Sequence, residues 1–226
     1  MLNINERFFS AFSSAFPNKT VFTANVPKEM MASQVDKEGW FQWNLLKGTI
    51  PTEDYKKIES QYDIKLPDSF IEWHQSYFFL SGDCSLVRLP YSNPSQPLQA
   101  IKAELDWHIP QKLIPQKIYP FGSEGNDSGP LVFDGRKAVP NNEFPIRVYD
   151  QDFRGDLEGL SEVIFSSFSK LLECLTHYMT ELKTKKDFEI IPAFFEIDPE
   201  GAGKKGIDYW LLWISGLRSE NEEFGD

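Results

Sequence analysis

Cysteine and histidine are scarce in this 226-residue chain, which contains two cysteines and three histidines. Two cysteines are too few for a disulfide framework, so we expect a protein of a reducing compartment, the cytoplasm. The three histidines lie far apart and lack the spacing of a zinc site. No apolar run approaches the roughly 20 residues that a membrane-spanning helix needs. The sequence therefore predicts no disulfide scaffold, no metal, no cofactor and no membrane span.

Positive charge is also in short supply. The chain has 23 Lys and Arg against 34 Asp and Glu, and a formal net charge of −11. Proteins that bind nucleic acid present a basic surface to the phosphates, so we expect no direct binding to nucleic acid. Hydrophobic residues make up 41% and aromatic residues 15%, which indicates a folded globular protein rather than a disordered one.

Apolar residues repeat with helical spacing in several segments. Ser166 or Ser167 can cap the longest of these helices, which begins near Phe165. The first predicted helix carries an N-terminal row of phenylalanines and ends at Pro17. The longest helix covers residues 165–182, and the others are predicted at residues 27–39, 52–62, 67–81 and 98–107.

The middle of the chain alternates strand-like segments with turn residues. Strands are predicted at residues 84–89, 118–121, 130–134 and 146–149, and a further pair at 188–197 and 207–214. Helices first, strands in the middle and a long helix late indicate an α+β fold, with a mostly antiparallel central sheet packed by helices. We expect residues 1–49 to form an N-terminal extension packed on a core domain of residues 50–183. Residues 184–226 would then add a C-terminal β-hairpin to the same domain, followed by a frayed acidic tail from Gly216.

Two segments resemble ligand-binding loops in part. Gly122, Gly125 and Gly129 lack the Gly-Lys-Ser/Thr ending of a phosphate loop, and a plain turn beginning at Gly122 is favoured. Residues 150–161 resemble a calcium loop, but Arg154 and Ser161 stand where it needs oxygen-rich ligands. A solvated acidic loop is the favoured interpretation. We therefore predict no catalytic residue, and a protein that is not an enzyme.

Two other groups leave alternatives open. Trp40, Phe41 and Trp43 could form a ligand platform, although core packing is favoured because the segment lacks polar alternation. Asp127 and Asp134 could serve in acid–base chemistry, although turn capping is favoured because both stand beside turn residues.

Four short motifs follow one another in the middle of the chain. Residues 58–73 contain Ile-Glu on one helix, then Leu-Pro, then a second helix with aromatic residues. Residues 121–127 read F-G-S-E-G-N-D and precede a strand that ends in Asp. Residues 148–150 read V-Y-D, and residues 167–172 open the long helix with Ser-Phe. In type and order these motifs resemble the SUKH superfamily, which includes bacterial immunity proteins and fungal regulators of cell-wall synthesis.

The resemblance covers about residues 50–183, and it implies a set of structural motif residues. Glycine and proline in the motifs set backbone geometry, and the aromatic residues are expected to be core anchors. The structural motif residues are Leu66, Pro67, Trp73, Phe121, Gly122, Gly125, Asp134, Tyr149 and Phe168.

The resemblance implies a non-catalytic immunity protein that binds and neutralises a cognate bacterial toxin domain, often a nuclease and therefore basic. The alternative that it implies is a cytosolic regulatory or scaffold protein. The acidic charge suits a basic partner, although acidity also serves solubility alone. The oligomeric state, monomer or dimer, stays open. We predict that the partner-binding face is the acidic loop, with residues Asp150, Asp152, Asp156, Glu158 and Glu162.

Overall fold

The computed structural model describes residues 2–17, 19–22, 25–136 and 142–224. The helices are α1 (Ile4–Ala15), α2 (Thr52–Tyr62), α3 (Asp68–Ser76), α4 (Gln99–Asp106), α5 (Pro110–Leu113), α6 (Phe168–Glu181), α7 (Asp187–Ile190), α8 (Phe194–Ile197) and α9 (Ile207–Phe224). The strands are β1 (Thr20–Val21), β2 (Phe41–Gln42), β3 (Leu46–Lys47), β4 (Tyr77–Phe78), β5 (Val87–Arg88), β6 (Ile118–Glu124), β7 (Pro130–Asp134) and β8 (Ile146–Val148). The predicted α+β class is confirmed.

The central sheet has four antiparallel strands in the order β5-β6-β7-β8. A register shift between Pro120 and Gly122 marks a bulge in β6. Because side chains alternate along a strand, Phe133 faces one side of the sheet and Val132 the other. Two smaller antiparallel pairs, β1 with β2 and β3 with β4, complete the strands that the described residues form.

An aromatic cluster joins the sheet to helices α3 and α6. Phe70 of α3 lies 5.1 Å from Phe168 of α6 and 5.6 Å from Phe133 of β7, measured between ring centroids. Phe121 stacks on Phe133 at 3.9 Å, and Trp73 lies 5.5 Å from Phe168. Three of the motif residues, Trp73, Phe121 and Phe168, are therefore core anchors with 0% exposure.

The link between α2 and α3 explains two further motif positions. The Glu59 carboxylate of α2 accepts a hydrogen bond from the backbone N–H of Leu66 at 2.9 Å. Leu66 is buried, and Pro67 adopts the extended backbone from which α3 starts. The Ile-Glu and Leu-Pro parts of the first motif are thus joined by one hydrogen bond, which fixes the turn between the two helices.

The N-terminal helix packs on this core. Asn3 and Glu6 form a reciprocal capping box at the start of α1. The rings of Phe8 and Phe9 lie 5.7 and 5.9 Å from Trp73, and α1 also packs against α6. The helix predicted at residues 27–39 is wrong: the chain forms only a short 3₁₀ turn at Lys28–Met30. Met30, which is buried, instead accepts a backbone hydrogen bond from Asn44 N–H at 2.8 Å, and Met31 forms an antiparallel bridge with Trp43.

The predicted C-terminal β-hairpin is also wrong. Residues 188–197 lie in α7, α8 and the 3₁₀ turn between them, and residues 207–214 lie in α9. A π-helical turn at Gly201–Lys205 connects the two parts. The tail, expected to fray from Gly216, continues as helix α9 to Phe224. In the part of the chain that the structure describes, no helix is long and apolar enough to cross a membrane.

The physical reason for this correction lies in the spacing of the buried residues. Ile190 and Phe194 are four positions apart and buried, as are Trp210 and Ile214. In a strand, residues i, i+2 and i+4 share one face, so Leu212 would be buried together with Trp210 and Ile214. Leu212 is instead 74% exposed, because in a helix it points away from the face that these two residues share. The buried residues of α7, α8 and α9 belong to the same hydrophobic cluster as Phe8 of α1.

Candidate functional site

The acidic loop leaves β8 and folds into two short 3₁₀ turns, Gln151–Phe153 and Leu157–Gly159. The backbone reverses between them at Arg154 and Gly155, whose φ angles are 51° and 102°. Positive φ is easily adopted by glycine and is uncommon for arginine, so outside contacts must hold this reversal.

Three side chains make these contacts, each through a hydrogen bond to a backbone atom of the loop. The buried Tyr149 hydroxyl accepts a hydrogen bond from the Gly155 N–H at 2.6 Å. Lys112 Nζ donates to the Arg154 carbonyl at 2.8 Å, and Gln116 Nε2 donates to the Gly155 carbonyl at 3.0 Å. Burial raises the pKa of Tyr149, so its hydroxyl stays neutral at physiological pH. The motif residue Tyr149 therefore supports the loop from below.

A small hydrophobic cluster lies under the loop, on the face of the sheet opposite the main core. Leu113 of α5 and Val132 of β7 are fully buried in this cluster together with Tyr149. Leu157 and Leu160 of the loop pack onto it half-buried. The apolar side chains of the loop are thus turned inward, which leaves the charged ones on the outer surface.

The structure places all five predicted binding residues on the exposed side of this loop. Among the described residues, none of their carboxylates forms a salt bridge. The Asp150 carboxylate accepts a hydrogen bond from the Asp152 N–H at 2.9 Å, a turn contact within the loop. The loop is therefore a negative surface, on which five exposed carboxylates outnumber its one cation, Arg154.

Asp134, the motif residue at the end of β7, serves as an ion-pair centre. It accepts hydrogen bonds from Arg136 Nη2 at 2.6 Å and from Arg147 Nε at 2.8 Å. Burial raises the pKa of Asp134, but the hydrogen bonds from both arginines and the charge of Arg136 outweigh burial and hold its pKa below the usual value. Arg147 also donates to the Ser161 carbonyl. Asp134 thus fixes β8 and the far end of the loop.

The glycine-rich segment forms a tight turn around a buried carboxylate. Glu124 is 1% exposed and accepts hydrogen bonds from the backbone N–H groups of Asn126 and Ser128 at 2.7 and 3.3 Å, and from the Tyr209 hydroxyl at 3.1 Å. The turn begins at Gly125, so its predicted start at Gly122 is wrong because Gly122 lies within β6. The concave side of this turn is occupied by the protein's own carboxylate.

Gly125 approaches the backbone of the chain before β5. A Cβ atom at Gly125 would lie 2.1 Å from the Ser85 carbonyl oxygen, a separation that no side chain tolerates. On the outer side of the turn, Asp127 pairs with Arg88. Within the described residues, no group of three or more His, Cys, Asp and Glu side chains is arranged to hold a metal ion.

Sequence reasoning missed a groove beside the N-terminal strands. It has a volume of about 750 Å³, and its walls include Phe22, Trp40, Tyr91 and Glu104. The rings of Phe22 and Trp40 are 6.0 Å apart and tilted by 60°. These four residues lie far apart in sequence, so no local pattern predicts that they meet.

The aromatic segment at residues 40–43 divides between core and groove. Phe41 and Trp43 are 3% and 2% exposed, which confirms the favoured core packing for these two residues. Trp40 is 43% exposed and lines the groove. The open alternative of a ligand platform therefore remains for Trp40.

Glu104 connects the groove with the acidic loop. A second hollow of about 380 Å³ is lined by Glu104, Asp127, Gly129 and Gln151. Gln151 is the first residue of the loop after Asp150. The groove, this hollow and the acidic loop therefore follow one another along one continuous surface.

The chain was compared with protein-family models, with curated protein sequences and with solved structures. No family model, no curated sequence and no solved structure matches it. The resemblance to the SUKH superfamily accordingly rests on the four motifs of the sequence.

Proposed function

We propose that this chain is a non-catalytic immunity protein that binds and neutralises a basic toxin domain through its acidic loop. One observation carries the proposal: five exposed carboxylates, which form no salt bridge within the described part of the chain, stand on a loop whose backbone reversal is held by hydrogen bonds from neighbouring side chains. The net charge of −11 and the motif resemblance support the same interpretation.

A fixed loop of this kind suits recognition of a cationic surface. The exposed carboxylates attract a basic partner over about 10 Å, the screening length at moderate salt, and can raise its association rate toward ~10⁸–10⁹ M⁻¹s⁻¹. Because Tyr149, Lys112 and Gln116 already hold the backbone, little of it needs ordering on binding. If the partner is a nuclease, the loop would compete with nucleic acid for the cationic surface that contacts phosphates.

The loop alone is smaller than a standard interface, which buries about 800 Å² on each partner. The hollow at Glu104 and the aromatic groove extend the same surface. A neutralising complex would therefore place a basic edge of the toxin on the loop and further contacts along this surface.

The partner is first sought by capture. The tagged protein is mixed with its native cell lysate and with a panel of purified, inactivated toxin domains, at low and at high salt. A basic toxin domain that binds tightly, and that is released more readily at high salt, supports the proposal. Exclusive capture of a housekeeping protein would instead favour the regulatory or scaffold role.

A charge-reversal pair then tests the loop itself. We expect Asp152→Lys/Asp156→Lys to slow association with the captured toxin by about 10- to 100-fold at low salt, and by much less at high salt. The control is Glu196→Lys/Glu223→Lys, which changes two exposed carboxylates of α8 and α9. Both variants change the net charge from −11 to −7, because each Glu or Asp to Lys change adds two positive charges. Equal association rates for the two variants would contradict the loop as the binding face.

A further inference from the structure

The aromatic groove continues into a second cavity at its other end. This cavity, of about 400 Å³, shares Thr20, Ser81 and Asp83 with the groove. The two together form a trough, which runs alongside β1. β1 belongs to a two-stranded sheet, in which β2 pairs with one of its two sides. A trough bordered by such an edge strand has the shape for an extended polypeptide segment.

The walls of the groove are aromatic and open to solvent. Phe22, Trp40 and Tyr91 are 67%, 43% and 42% exposed. The Phe22 ring lies against Gly39, where a Cβ atom would be 2.3 Å from the ring and where φ is +94°. A backbone that only glycine adopts readily thus lets Phe22 lie beside Trp40. Clustered exposed aromatic side chains are typical of binding surfaces.

The free charge in the trough is negative. Arg88 is engaged by Asp127 and by the Gly125 carbonyl, to which it donates at 3.1 Å. Lys19 Nζ lies over the ring of Trp43, 5.1 Å from its centroid. These two cations therefore already have partners within the protein.

The two acidic side chains of the trough have fewer partners within the protein than these two cations. Asp83 is exposed, and its carboxylate accepts a hydrogen bond from the Ser85 N–H at 2.9 Å. Glu104 is half-buried, and among the described residues its carboxylate has no hydrogen-bond donor and no salt bridge. Burial raises the pKa of Glu104, which reflects the cost of holding this charge away from water. A cation brought to Glu104 would recover that cost.

We propose that the groove binds an extended segment of a partner protein that inserts an arginine side chain between the aromatic walls, with its guanidinium group on the Glu104 carboxylate. Arginine fits this chemistry better than lysine, because a planar guanidinium stacks on aromatic rings and donates two parallel hydrogen bonds to a carboxylate. The site does not depend on the neutralising role proposed for the acidic loop.

The experiment selects peptides on the full-length protein. A displayed library of random linear 12-residue peptides is panned against the wild-type chain, and the best arginine-containing peptide is synthesised with arginine and with citrulline, its neutral isostere. Affinities are measured by isothermal titration calorimetry. We expect the selected peptides to share one arginine position, and the citrulline form to bind about tenfold more weakly, as the loss of one charge-assisted contact implies.

Variants assign the binding to the groove. Glu104→Gln keeps the size of the side chain and removes its charge, so we expect it to weaken the arginine peptide about tenfold and leave the citrulline peptide unchanged. Trp40→Ala and Tyr91→Ala are each expected to weaken both peptides. Phe153→Ala is the control, because Phe153 is 43% exposed, as Trp40 is, but lies on the acidic loop.

Three results would overturn the proposal. They are a selection without arginine enrichment, equal affinities of the arginine and citrulline peptides for the wild-type chain, and an arginine preference that survives Glu104→Gln. Circular dichroism spectra of each variant show whether it is folded. If Trp40→Ala fails to fold, Tyr91→Ala and Glu104→Gln still decide the outcome. The loop variant Asp152→Lys/Asp156→Lys is expected to bind the arginine peptide within about twofold of wild type, which separates this test from that of the loop.

Discussion

Asp198 is expected to determine the stability of the C-terminal segment. It is 1% exposed, and its carboxylate accepts four hydrogen bonds: from Ser166 N–H at 2.7 Å, Ser166 Oγ at 2.5 Å, Gly201 N–H at 3.1 Å and Ala202 N–H at 3.3 Å. These bonds join the strand-like segment before α6 to the π-helical turn before α9. Without the carboxylate, three backbone N–H groups and one hydroxyl would lose their acceptor inside the protein.

The magnitude follows from these four contacts. A hydrogen bond to a charged group contributes about 1.5–3 kcal/mol, but bonds to one group do not add fully, and local shifts admit some water. We therefore expect Asp198→Ala to lower the free energy of unfolding by about 3–5 kcal/mol, a large part of the ~5–15 kcal/mol typical of a domain. Ser166→Ala, which removes one of the four bonds, should cost about 1 kcal/mol.

Urea unfolding measures these differences. Circular dichroism reports the helices, and fluorescence of the six tryptophans, which include the buried Trp210 beside Phe165, reports tertiary packing. Asp208→Ala is the control, since Asp208 is an exposed acidic residue in the first turn of α9, and its loss should cost less than about 1 kcal/mol. An Asp198→Ala variant within about 0.5 kcal/mol of wild type would refute the reasoning, as would equal effects of the two substitutions.

Two other predictions concern the core. Burial lowers the pKa of His74 from 6.5 to about 4, so the unfolded chain binds the extra proton between these pH values. The free energy of unfolding should therefore decrease as the pH falls from 6.5 to 4, and this residue accounts for about 3 kcal/mol of the decrease. Urea unfolding at pH 6.5 and at pH 4 measures it, and the decrease should be smaller in His74→Gln. Truncation after Lys183 removes the buried side chains of Ile190, Phe194 and Trp210 from the core, so the fragment is expected to aggregate or unfold. Size-exclusion chromatography and circular dichroism test this, and a monodisperse, helical fragment would contradict it.

The central part of the fold was predictable because its signals are local. Pro67 marks the start of α3, Ser167 caps α6 through the Lys170 N–H, and the strand ending at Asp134 is bounded by Gly135. Each of these signals acts within a few residues of its own position. The sequence therefore predicted the antiparallel sheet and the helices that cover it.

The prediction for the C-terminal segment was wrong because it relied on residue composition more than on the spacing of apolar residues. Phenylalanine, tryptophan and isoleucine favour strands on average, and they are dense at residues 188–197 and 207–214. Yet Trp210, Ile214 and Leu217 are spaced by four and three, which is the period of a helix face. Tertiary packing on the core then decided the conformation, as it commonly does where propensity is weak.

The site was predictable only in part. The acidic loop was visible because its carboxylates lie within 13 consecutive residues, 150–162. The groove was not, since Phe22, Tyr91 and Glu104 come together only through the packing of separate segments. The Glu104 carboxylate has no partner among the residues that the structure describes, and this too depends on its surroundings, which no short sequence pattern encodes.

The way the acidic loop is supported has a consequence for how binding preference can change over time. Its reversal is held through the backbone atoms of Arg154 and Gly155, and the side chains of Asp152, Asp156 and Glu158 take no part. These side chains can therefore be exchanged without loss of the supporting contacts. Evolution or protein engineering could therefore change the binding preference one loop side chain at a time, while the loop backbone keeps its conformation.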